Sequence, residues 1–186
     1  MSQGDQGEGY VVDQNGAAAG WLWGPYSKLA LTVAVVTFIL DQAHKWYMML
    51  VFDIQNRGRV EITSFMDFVF VLNTGISYSL FDGSSQSWQY VLAGFAVTAS
   101  LAFWVWTARS ATGAIFAASL GLIIGGALGN ALDRVLVGGV IDYVSMHAFG
   151  YYWYVFNIAD MAIVAGVIGL LYDSVVMSRN SAAKTQ

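Results

Sequence analysis

A chain of 186 residues, 57% hydrophobic and only 11% charged, is too apolar for an ordinary water-soluble domain of that length, so the bilayer is its expected solvent. A net charge of −4, with eight Lys and Arg scattered along the sequence, argues against nucleic acid, which needs a clustered basic surface. The absence of cysteine excludes disulfides, thiolate nucleophiles and Cys-ligated metals.

The chain opens on a polar, acidic stretch (Asp5, Glu8, Asp13) with no basic segment ahead of the next apolar run, so no cleavable signal peptide is read there. A helix needs about 20 mostly apolar residues to cross the hydrocarbon core. The first such stretch covers 26–50 and carries Asp41 and Lys45 in its second half. Residues 59–72 alternate and are rich in β-branched and aromatic side chains, which predicts a strand too short to cross as a helix. A second span, 87–107, holds no charge, and a polar turn over 107–113 leads to a third, 114–133, uncharged until its end. Gly138-Gly139 then breaks the chain, and an aromatic stretch through Tyr154 reads as interfacial. The fourth span, 156–177, holds Asp160 in its first turns, and from 178 onward the chain is polar again. These elements predict an all-α membrane protein of four spans.

Alternating crossings put the end of span one, the start of span two, the end of span three and the start of span four on one side. Asp41, Lys45, Asn73, Asn130, Asp133, Arg134, Asp142, Asn157 and Asp160 can therefore converge near one membrane face, and the other face has no comparable set. Lys and Arg near span ends do not orient the chain. Lys28, Arg109, Arg179 and Lys184 balance Lys45, Arg57, Arg59 and Arg134, although a site role for three of the second group favours termini inside.

An ionised carboxylate inside a membrane helix is costly unless paired or hydrated, so Asp160 marks a functional site. Asn157, three residues earlier on the same face, either bonds the carboxylate or a substrate backbone, or caps the helix, and the two roles can coexist. Asn130, Asp133 and Arg134 share spacings of three and four, where Arg134 can brace a carboxylate bidentately or join an interfacial salt-bridge cluster. Asp142, in an apolar Val-Ile-Asp-Tyr setting, is the natural partner of Asp160. Two neighbouring carboxylates share a proton: one acts as general base on a water, the other as general acid. Nucleophilic schemes are weak, since His44 and His147 lack a Ser-His context, and metal ligation through these two histidines and carboxylates stays open but lacks an HExxH-type spacing. A proton- or ion-coupled carrier using Asp41, Asp142 and Asp160 as a relay stays open, although neither internal repeats nor paired Gly/Pro interruptions support it. Gly121, Gly125 and Gly129 form a small-residue stripe for close helix packing, and the helix of Asp160 has a comparable narrow side.

Five segments in order, Asp41-Gln42-Ala43-His44-Lys45, Asn73-Thr74-Gly75-Ile76-Ser77-Tyr78-Ser79, Gly126 through Arg134, Val140-Ile141-Asp142-Tyr143 and Phe156-Asn157-Ile158-Ala159-Asp160, resemble the lipoprotein signal peptidase (signal peptidase II) family. The resemblance implies that Asp142 and Asp160 are catalytic, that Asn130, Arg134 and Asn157 support them, and that Asp133 is structural. It gives Asn73, Gly75, Asp41 and Lys45 structural or substrate-positioning roles. Ile76-Ser77-Tyr78 departs from the family's small residues and Phe, which bears on pocket shape rather than chemistry. The implied substrates are diacylglyceryl-modified bacterial prolipoproteins, cut before the lipidated cysteine at the outer face of the cytoplasmic membrane, without a cofactor. Globomycin-type inhibitors are implied to overlap the dyad. The resemblance further implies a small extracytoplasmic β-cradle within 51–86 and an interfacial helix or loop at 143–154, a lid candidate. A site built within one chain makes a monomer adequate.

Overall fold

The computed structural model describes residues 21–75, 85–111 and 113–184, with side chains described through residue 176. The acidic stretch ahead of residue 21 and the Ile76-Ser77-Tyr78-Ser79 departure lie outside the described residues. In chain order come α1 (Ser27–Leu50), the short α2 (Ile54–Arg57), β1 (Val60–Thr63), β2 (Met66–Asn73), α3 (Gln86–Ser110), α4 (Ala114–Val137), β3 (Val140–Ala148), β4 (Tyr151–Phe156) and α5 (Ile158–Lys184). The chain is mostly helical. Three helices among the described residues, α3, α4 and residues 158–176 of α5, are long and apolar enough to cross a membrane. α1 matches them in length, but its second half carries Asp41, Gln42, His44 and Lys45, and it is not among the three.

α4 is the helix the others pack on. A Cβ at Gly121 or Gly125 would meet the Ala30 or Ala34 carbonyl of α1, and one at Gly126 would meet the Ala159 carbonyl of α5. The 121/125/129 stripe thus seats α1. α5 is seated by Gly126 and by its own Gly166, which lies against Ser119 and Ile123 of α4. Outward faces keep large apolar side chains exposed, Phe95, Leu101, Ile168 and Leu171 among them, as helices solvated by lipid require.

Two expectations are corrected. Residues 59–72 form a hairpin of two strands rather than one, because the chain reverses at Ser64-Phe65 between Thr63 and its partner Met66. The segment 143–154 is neither helix nor loop. It belongs to β3 and β4, which complete a four-stranded antiparallel sheet ordered β1-β2-β3-β4. Val140, Ile141, Tyr143 and Val144, then Tyr151 through Phe156, are strong β-formers that find partners only once the hairpin turns at Phe149-Gly150. The sheet therefore takes half its strands from beyond 51–86. It sits on the end of α1 through a core of Met48, Ile54, Ile141 and Tyr143, with Phe52 and Phe68 packed against it.

Candidate active site

The site begins at the junction of β4 and α5. Asn157 is the N-cap of α5: its carbonyl accepts from Met161 N, and its Oδ1 accepts from Asp160 N at 3.0 Å. Asp160 answers by accepting from the Asn157 backbone N–H through Oδ2 at 3.2 Å, the reciprocal pattern of a capping box. Asn157 thus caps the helix, and its Nδ2 donates not to the Asp160 carboxylate but to Asp142 Oδ1, at 2.7 Å. One asparagine touches both aspartates.

Asp142 comes from β3, in register with Val71 of β2, and is 1% exposed. Its second oxygen accepts from Asn73 Nδ2 at 2.9 Å. The Asn-x-Gly spacing explains that contact. Gly75 takes φ +79°, a left-handed conformation that glycine adopts freely, and its N–H donates to Asn73 Oδ1 at 2.9 Å, which turns the Asn73 amino group toward Asp142. Burial pushes the Asp142 carboxyl up to about 6. The Asn73 bond opposes this, the Asp160 charge adds to it, and the Asn157 bond opposes it again.

A second polar cluster lies deeper, between α1 and α4. Lys45, only 1% exposed, places its ammonium 2.8 Å from Asp41 Oδ2 and 2.7 Å from Asp133 Oδ2. Gln42 Nε2 reaches Asp133 Oδ1 at 2.9 Å and the Gly129 carbonyl at 3.1 Å. Gly129 is the one residue small enough there, since a Cβ would strike the Asp41 carboxylate. Asp41 Oδ1 accepts from Ala159 N at 2.9 Å, and Asp133 Oδ2 accepts from Ile141 N at 3.2 Å, so this cluster grips both the helix of Asp160 and the strand of Asp142.

Asn130 joins the two clusters. Its Oδ1 accepts from Lys45 Nζ at 3.0 Å, and because an ammonium only donates, the Asn130 amino group must face the other way, where it donates to Asp160 Oδ1 at 2.8 Å. A continuous hydrogen-bonded path thus runs from Asn73 through Asp142, Asn157, Asp160, Asn130 and Lys45 to Asp41 and Asp133.

Arg134 departs from expectation. It braces no carboxylate bidentately among the described residues; its NH1 donates back along α4 to the Asn130 carbonyl at 3.2 Å, and its buried Nε has no partner. Asp133, one residue earlier, points instead to Lys45, so Asn130, Asp133 and Arg134 are shared between two clusters rather than forming one polar face. Gln42, His44 and Tyr143 stand in the segments quoted from the sequence but were given no site role there. Tyr143 is fully buried and stacks on His44 at 5.0 Å, and burial raises its hydroxyl pKa. Gln42 could have been found by the argument that selected Asp41, since an amide in an apolar helix also needs partners.

Two openings meet the aspartates. A cavity of about 640 Å³ on the sheet side is lined by residues 71–75 and 153–155 together with Asp142. A groove of about 460 Å³ on the helix side starts at Phe156 and Asp160 and runs down the lipid-facing side of α5 past Met161, Val164 and Ile168. A buried Asp142 and a half-buried Asp160, bonded among the described residues only to amide N–H groups and open to a cavity and a groove, suit acid–base chemistry on a bound chain.

Comparison with known proteins gives one picture. Residues 33–176 match a family model described as signal peptidase (SPase) II. A lipoprotein signal peptidase of Nitrobacter hamburgensis is 48% identical over 158 residues, 83% of this chain and 94% of the relative. One of Rhodopseudomonas palustris is 45% identical over 153 residues, 80% of this chain and 93% of the relative. Among solved structures, a bacterial membrane enzyme determined by the in meso method at 2.3 Å aligns with a TM-score of 0.65 and 25% identity, covering 82% of this chain and 91% of its own.

Proposed function

Because the chain belongs to the signal peptidase II family, we propose that Asp142 and Asp160 are the catalytic pair with which it removes signal peptides from bacterial prolipoproteins. It is an aspartic-type endopeptidase of a bacterial membrane. The observation that carries the pair's assignment is Asn157, which holds one carboxylate by its side chain and the other by its backbone.

In the proposed reaction the pair holds one proton between its members. The ionised carboxyl takes a proton from a water, which attacks the peptide carbonyl preceding the diacylglyceryl-modified cysteine. The protonated carboxyl polarises that carbonyl oxygen and then protonates the leaving amine. Asn73, Asn130 and Asn157 hold the two carboxyls with neutral donors, and Asp41, Lys45 and Asp133 fix the elements that carry them. Arg134, whose Nε has no partner among the described residues, supports the substrate backbone.

The same reading sets the chain in the bilayer. α1, α3, α4 and α5 are four spans within a peptidase domain of residues 26–177, with polar stretches at 1–25 and 178–186 and both termini cytoplasmic. The sheet and the dyad lie at the outer face, in contact with lipid, and the enzyme acts as a monomer. A globomycin-type cyclic peptide competes for the dyad. Cleavage of a lipid-modified prolipoprotein by the purified chain, by Asp142→Asn and by Asp160→Asn tests the assignment, with folding checked in each. Folded but inactive variants support it; normal activity in both would remove it.

A further inference from the structure

The substrate of such a peptidase is divided by its cleavage site: an apolar signal segment that stays in the bilayer, and a mature segment that leaves it. The two carboxylates of the site are divided in a parallel way. Asp160 stands on a helix long and apolar enough to cross a membrane, at the head of a groove whose other walls are apolar. Asp142 stands on the sheet, and the cavity it opens to is built entirely from sheet and turn residues outside the candidate spans.

The strand register says which side chains meet in that cavity. Val71 pairs with Asp142, and Phe156 pairs with Val144, two residues along β3. Side chains alternate along a strand, so Val71, Asn73 and Asp142 share one face, and Tyr154 of β4 lines the same cavity from the other side of β3. Tyr154 is 87% exposed and makes no hydrogen bond, ion pair or ring contact with any described residue, so the fold itself makes little use of its ring. Large exposed aromatics beside a cavity are the usual material of a recognition surface.

We propose that the cavity on the sheet side of Asp142 is the subsite for the first residues of the mature lipoprotein, and that Tyr154 in its lining selects a bulky uncharged side chain immediately after the modified cysteine. The proposal rests on the peptidase reading and goes beyond it by giving the substrate a direction: signal segment along α5, mature segment across the sheet. The neutral walls define the chemical class, since among the described residues Asp142 is the one carboxylate or cationic group in the lining.

The test uses the full chain in phospholipid vesicles with lipid-modified prolipoproteins carrying Gly, Leu or Phe directly after the modified cysteine, and a second set varied at the residue before the cut. The wild type is expected to favour Leu and Phe over Gly at the mature position. Tyr154→Ala is expected to reduce that kcat/KM ratio about tenfold, the worth of one aromatic contact, while Tyr154→Phe, which keeps the ring, retains it. Preferences before the cut stay as in the wild type. An unchanged ratio in Tyr154→Ala, or a change confined to residues before the cut, overturns the proposal while leaving the peptidase reading intact. A folded wild-type enzyme that cleaves none of the substrates overturns both.

Discussion

The two polar clusters use the same acidic residue and treat it differently. Asp41 and Asp133 enclose the ammonium of Lys45 within 2.8 Å, so each has a cation in contact, one ammonium serving two carboxylates. Asp142 and Asp160, a few side chains away, accept hydrogen bonds from asparagine amides and one backbone N–H, with no cation within ion-pairing distance among the described residues. A carboxylate fixed by a cation loses the freedom to take up a proton, whereas one held by amides keeps its geometry while its charge remains adjustable. Asp67, on the sheet, follows the first pattern. Arg59 donates to it at 2.7 Å and His147 lies 3.1 Å away, and the Arg59 bond holds its carboxyl below the usual range. The partner, more than the depth of burial, separates a structural aspartate from one suited to chemistry.

The strongest way to break this comparison is to neutralise each set. Asp142→Asn and Asp160→Asn should each reduce cleavage by about a thousandfold or more, as loss of a general acid or base does, with the fold retained. Asp142→Asn should also show a pH signature in thermal unfolding. A carboxyl raised to about 6 when folded binds protons that the unfolded chain has released, so its contribution to stability falls as the pH climbs from about 4 to about 6. The variant should therefore gain on the wild type across that window and hold its advantage at pH 7. An advantage that vanished at neutral pH would contradict the assignment.

Lys45→Met comes next. It leaves two buried carboxylates without their cation and is expected to cost about 3–5 kcal/mol of stability, measurable as a lowered midpoint of thermal unfolding in detergent. The triple change Asp41→Asn, Lys45→Met, Asp133→Asn removes the charges together, and the side-chain oxygen at position 41 can still accept from Ala159 N. That variant should fold and still cleave. If it folds with activity reduced as far as in Asp160→Asn, the charge of the second cluster is catalytic and the division between the clusters fails. Asn157→Ala should sit between these cases. Losing the cap costs the helix about 1 kcal/mol, while the freed dyad is expected to lose about a hundredfold in kcat, the effect of misplacing a reacting group by about an ångström. A kcat unchanged in a folded Asn157→Ala enzyme would remove its positioning role.

The helices and most of the polar network were legible in the sequence because both rest on the expense of polarity in lipid. An apolar run of sufficient length must be a helix, and an aspartate or asparagine at its end must find partners. What was not legible depended on tertiary pairing. Residues 143–154 read as interfacial because aromatic content does not separate a strand from a surface loop, and β3 and β4 gain their identity only from β2 beside them. Arg134 was expected on a carboxylate because spacing along one helix shows which side chains share a face, but not which neighbour from another helix claims Asp133 first. The glycine stripe announced close packing, yet only the fold shows that α1 occupies it.

The finest test of the comparison is Asn73→Ala, which removes one amide from Asp142 and touches neither carboxylate. The Asn73 bond stabilises the ionised form of Asp142, opposing the upward push of burial, so its loss must raise the Asp142 pKa further above 6. With one proton required on the pair, kcat/KM declines on the alkaline side as Asp142 gives up that proton. The alkaline limb of the pH profile should therefore move upward, by roughly half a unit to one unit, the equivalent of the ~1 kcal/mol that a single hydrogen bond contributes. The direction discriminates. A limb that stays in place would put the titrating proton on Asp160 rather than Asp142, and a limb that moved down would mean that Asn73 stabilises the protonated form of Asp142.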